Sequence, residues 1–132
     1  MQVPLYQAKA EFFRMLGHPV RIRVLELLGE GPRPVRDLLT ETGVEASNLS
    51  QQLAVLRRAG IVVSTRDGAN VVYALAGPDV ADLMRAARRI LTEMLQGQAQ
   101  LLASLTVEPM PGPTVEPTAG LTVDAAPGPS AA

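Results

Sequence analysis

Residues 35–75, VRDLLTETGVEASNLSQQLAVLRRAGIVVSTRDGANVVYAL, carry two short helical periods followed by two β-rich runs, with only turn residues between them. Val35, Leu38 and Leu39 give the first helix one apolar side, and Gly43 suits the left-handed backbone that ends such a helix. At roughly 100° per residue, Leu49, Leu53 and Leu56 fall on one stripe of the second helix. Ser47, Gln51, Ala54 and Arg58 then face away from that stripe, with Asn48 and Ser50 on its shoulders. Ala59 and Gly60 close this helix, and Ile61, Val62 and Val63 begin a β run that reaches Arg66. Its return partner holds Val71, Val72, Tyr73 and Leu75, across a turn at Asp67 and Gly68. The expected fold is mainly α with a small β-hairpin wing, a winged helix-turn-helix.

The outer face of the second helix is unusual for a solvated surface. No charge occurs from Ala46 to Val55, where an ordinary amphipathic helix carries Glu and Lys. Hydroxyl and carboxamide groups on a face of low bulk are the types that bond base edges and phosphate oxygens. Ser47, Asn48, Ser50 and Gln51 are therefore candidate contacts to double-stranded DNA, with Arg58 at the end of the helix and Arg66 and Asn70 on the wing. Plainer roles stand beside these. Arg57 and Arg58 suit the negative end of a helix dipole, Arg66 suits the guarding of an exposed strand edge, and the helix as a whole could be merely solvated.

Two further helices flank this segment. Leu5, Ala8, Phe12, Met15 and Leu16 recur at helical spacing near the start of the chain. After Gly77 and Pro78, a three-four rhythm runs through Val80, Leu83, Met84, Ala87, Leu91, Met94, Leu95, Leu102 and Leu105. So long a stripe exceeds what a small domain can cover alone. The first and last helices are accordingly expected to build a homodimer, with Leu5, Phe12, Leu83, Ala87, Leu91 and Met94 at its interface; packing of the last helix across the first within one chain is the alternative.

Three segments taken together, LGHPVRIRVLELL at 16–28, NLSQQLAVLRRAGIV at 48–62 and DGANVVYAL at 67–75, resemble the ArsR-type (ArsR/SmtB) winged-helix repressors, over a span from about Leu5 to Leu105. The resemblance implies a homodimeric, sequence-specific DNA-binding transcriptional regulator, usually a repressor, that leaves its operator when an inducer changes the dimer's shape. It puts the helix around Ser47 to Gln52 in the major groove. Two such helices related by a two-fold axis would meet an inverted repeat about one turn, roughly 10 bp, apart.

This chain departs from the metal-sensing branch of those proteins. The stretch PVRDL has Pro34 and Arg36 where that branch carries thiolates, and the sequence has no cysteine. Along the last helix only Asp79, Asp82 and Glu93 stand as acidic candidates, without a histidine, and carboxylates alone make a poor zinc or soft-metal site. The single histidine, His18, lies before Pro19, where the resemblance suggests capping or packing. No metal and no cofactor is expected, and a small-molecule inducer at the dimer seam is left open.

At 132 residues the chain fits one small domain with an extension. Residues 106–132 hold six prolines and three glycines in 27 positions with an approximate TVEP repeat, and are expected to be a disordered tail. All 12 basic residues precede it. Removing its three acids from the 13 in the chain leaves ten, so residues 1–105 carry a formal charge of about +2. That is mild for a nucleic-acid binder, and attraction must depend on where Arg33, Arg36, Arg57, Arg58 and Arg66 sit. No apolar run is long enough to span a membrane and no secretory signal opens the chain, so a cytoplasmic protein is expected. An enzyme is not: there is no thiol nucleophile, no glycine-rich phosphate loop, and one histidine without an evident carboxylate partner. A winged-helix module that holds a protein partner is the competing function.

Overall fold

The computed structural model describes residues 2–105. Its order is α1 (Leu5–Leu16), α2 (Pro19–Leu28), β1 (Arg33–Pro34), α3 (Val35–Thr42), α4 (Ala46–Arg58), β2 (Val62–Asp67), β3 (Asn70–Leu75) and α5 (Asp79–Leu105). The chain divides into a compact unit ending at Met94 and a second beginning at Leu95, whose described part is the C-terminal end of α5, residues 95–105. The tail expected at 106–132 lies outside the described residues.

Each boundary has a local cause. His18 caps α2: its Nδ1 accepts a hydrogen bond from the Val20 backbone N–H at 3.1 Å, and Pro19 at the first helical position loses no needed donor. The histidine's capping role suggested by the resemblance is thus the one found. Gly43 ends α3 at φ 70°, a left-handed conformation that costs a side-chain-bearing residue about 1 kcal/mol or more. Gly43, Val44 and Glu45 then turn the chain into α4.

The wing departs from expectation by one element. β2 and β3 pair antiparallel from Val62↔Leu75 to Asp67↔Asn70, so the tight turn falls at Gly68 and Ala69, one residue later than expected, with Gly68 at φ 68°. A third strand, β1, pairs with the other edge of β3 through Arg33↔Tyr73 and Pro34↔Val72, giving the order β1-β3-β2. Two residues are too short a run to show periodicity, and Pro34 argues against a strand except at an edge, which is where it sits.

The core is assembled from α1, α2, α3, α4, β2 and β3. Val24, Leu25, Leu27 and Leu28 of α2 meet Leu38 of α3, Leu49, Leu53 and Leu56 of α4, Val62 of β2 and Tyr73 of β3, with Leu16 closing it from α1. From α5 only Val80, Leu83 and Met84 pack against this cluster, and none of them is fully buried.

Candidate nucleic-acid interface

Helix α4 is two-sided. Leu49, Gln52, Leu53 and Leu56 are buried. Ser47, Ser50, Gln51, Arg57 and Arg58 are exposed, and Asn48 and Ala54 half-buried. The leucine stripe therefore orients the helix as its spacing demands, and the uncharged polar groups of its first two turns face solvent. Gln52, at the end of the stretch that the resemblance places in the groove, is itself only 7% exposed. It lies three residues after Leu49 and four before Leu56, on the same inner stripe.

Basic side chains surround this face unevenly. Arg57 and Arg58 occupy the last turn of α4, where they also favour the helix dipole, and Arg66 projects from β2. All three are exposed, and their side chains make no hydrogen bond or ion pair to another described residue. Arg36 of α3 donates through Nη1 to Asn70 Oδ1 at 2.8 Å, tying the tip of the wing to the first helix of the pair. Because a guanidinium offers only donors, Asn70 must turn its oxygen to Arg36, which leaves its amide nitrogen for another acceptor. Arg33 is engaged elsewhere: it donates to the Leu27 carbonyl at 3.3 Å and pairs with Glu30, with little of its side chain exposed. It leaves the set of candidate phosphate contacts.

One polar connection escaped sequence reasoning. Arg21 of α2 donates through Nη1 to the Met15 carbonyl at the end of α1 and through Nε to Gln52 Oε1, at 2.6 and 2.8 Å. Gln52 Nε2 donates in turn to Asn48 Oδ1 at 3.0 Å. The available signal was a glutamine on a leucine stripe, since a buried carboxamide needs partners.

Such a platform, a helix pair with an uncharged polar outer face and a wing carrying an exposed arginine, suits the reading of DNA, and comparison with known sequences agrees. The profile of the arsR family of bacterial regulatory proteins matches residues 18–64. Rv0081 of Mycobacterium tuberculosis, described as an uncharacterized HTH-type transcriptional regulator, is 52% identical over 103 residues, covering 77% of this chain and 90% of that protein. The chain belongs to the arsR family. As a member it is a DNA-binding transcriptional regulator and not an enzyme. The crystal structure of Rv0081 superposes with a TM-score of 0.68, covering 74% of this arsR-family chain and 99% of that one. The homodimeric winged helix-turn-helix DNA-binding domain Mb0332 of Mycobacterium bovis follows at 0.63, with 31% identity over 70% of this chain and 86% of that one. The transcriptional repressor BigR of Xylella fastidiosa gives 0.61, with 35% identity over 64% and 87%.

The outward apolar surface lies mainly on the flanking helices. Leu5 is 69% exposed, Leu91 52% and Met94 55%, while Phe12, Leu83 and Ala87 are half-buried within the protomer. Among the described residues, no three His, Cys, Asp or Glu side chains gather closely enough to hold a metal ion, and no helix is long and apolar enough to cross a membrane.

Proposed function

We propose that this regulator is a homodimeric, sequence-specific repressor that binds an inverted-repeat operator through α4. The observation that carries this reading is the outer face of α4: Ser47, Ser50 and Gln51 exposed without a charge among them, Asn48 on the shoulder, and the free cations Arg58 and Arg66 nearby. Uncharged donors and acceptors discriminate bases, and the flanking cations supply attraction that any sequence would feel. Asn70 assists from the wing, held by Arg36.

Dimerisation rests on Leu5, Phe12, Leu83, Ala87, Leu91 and Met94, whose apolar surface no part of their own compact unit fully covers. The homodimeric state of Mb0332 supports the same reading. Residues 1–105 then constitute the DNA-binding and dimerisation domain, and the cytoplasm, where the DNA lies, is the proposed compartment. Any inducer of this chain acts without cysteine ligands.

Titration of the purified protein against fragments of its own genome tests the proposal. A specific complex that weakens steeply with added salt is expected. Binding indifferent to sequence and insensitive to salt would contradict it and favour a protein-interaction module, for which Ser47→Ala and Gln51→Ala would leave activity intact.

A further inference from the structure

Gln52 is the one buried polar side chain among the described residues, and its two bonds have a fixed direction. Arg21 can only donate, so the group it meets through Nε must be the Gln52 carbonyl oxygen. Gln52 therefore turns its amide nitrogen the other way, and the atom receiving that bond must be the Asn48 oxygen. Neither carboxamide can be flipped without setting donor against donor. Arg21 is itself anchored on the Met15 carbonyl, one of the end carbonyls that α1 cannot satisfy internally.

This polarity has a consequence at the surface. With Oδ1 turned towards the buried Gln52, the Asn48 amide nitrogen lies on the opposite side of its planar group and has no acceptor among the described residues. Asn48 belongs to the first turn of α4, between Ser47 and the exposed Ser50 and Gln51. Resting on the DNA-reading role of α4 proposed above, we infer that Asn48 is a specificity-determining residue, oriented by Gln52 and Arg21 to offer a donor. It selects a base whose major-groove edge offers an acceptor at that point, such as guanine N7 or O6 or thymine O4, and disfavours cytosine, whose N4 is a donor. Gln52 and Arg21 are positioning residues that never touch DNA.

The test is selection from a random-sequence duplex library by the full-length protein and its Asn48→Ala, Asn48→Asp and Gln52→Glu variants. The wild type should enrich acceptor-bearing bases at one position in each half-site. Asn48→Ala should lose preference there and keep it elsewhere. Asn48→Asp keeps an oxygen for Gln52 Nε2 in a helical turn that favours a carboxylate, so it should fold as the wild type does, but it has no outward donor and should lose the same preference. In Gln52→Glu both Arg21 and Asn48 must donate to the carboxylate, so Asn48 turns its oxygen outward. That variant should prefer a donor-bearing base, cytosine or adenine, at the position and bind its own selected duplex roughly tenfold more tightly than the wild-type duplex. A glutamine that merely supported the fold would weaken binding at every position alike and reverse none.

Preference unchanged at that position in Asn48→Ala or Asn48→Asp would overturn the inference while leaving the repressor reading intact, as would uniform weakening in a folded Gln52→Glu. Enrichment of no sequence by the wild type would overturn both.

Discussion

Helices α4 and α5 both carry leucine at helical spacing, yet they use it in opposite ways. In α4 the stripe of Leu49, Leu53 and Leu56 is wholly consumed by the protomer's own core, and what remains outside is polar. In α5 no residue is fully buried, and Leu91 and Met94 turn more than half their surface to solvent. An apolar stripe thus reports that a helix needs a partner surface, and only the fold reveals whether that surface lies in the same chain. The inward leucines of α4 leave only its polar face for the DNA contacts proposed above, and the uncovered stripe of α5 is the surface the proposed dimer would bury.

Substitutions on the two helices should separate these uses. The largest effect is expected from Leu91→Asp, which places an unpaired carboxylate in the proposed seam and should weaken dimerisation by about 3–5 kcal/mol, read by sedimentation equilibrium. An unchanged dimer would break the contrast. Leu56→Ala, at a fully buried position, should lower unfolding stability by about 2–5 kcal/mol in urea titrations, whereas Ile90→Ala, at an exposed position outside the proposed interface set, should change it by less than about 0.5 kcal/mol. Gln51→Ala should cost about 1–3 kcal/mol against the selected operator and little against unrelated DNA, measured by fluorescence anisotropy. Equal losses on all sequences would move Gln51 from base to phosphate. A further, modest loss is expected from Gly43→Ala, which forces a side chain into the left-handed region between α3 and α4 and should reduce thermal stability by about 1 kcal/mol.

Legibility in the sequence followed the length of the signal. The leucine spacing of α4, the turn signal at Gly43 and the β-rich run through Val71, Val72 and Tyr73 were each enough to state an element or its end, and each found its expected element. Strand β1 could not be read, because two residues, one a proline, acquire strand character only from the neighbour they pair with. The polar link from Arg21 to Asn48 was invisible for a related reason: its members are 31 and 4 residues apart, and only the packing of α2 on α4 joins them. Arg33 and Arg66 look alike as letters, but one is spent on Leu27 and Glu30 while the other stands free.

Strand β3 lies in the middle of its small sheet, gripped by β2 on one side and β1 on the other, with Arg36 pinning Asn70 at the tip. The hairpin is thus tied to the body along its β3 side, at Tyr73, Val72 and Asn70, while β2 remains the open edge of the sheet. Under the proposed repressor reading, a displacement of α3 would accordingly be passed to the wing tip through the Arg36–Asn70 bond.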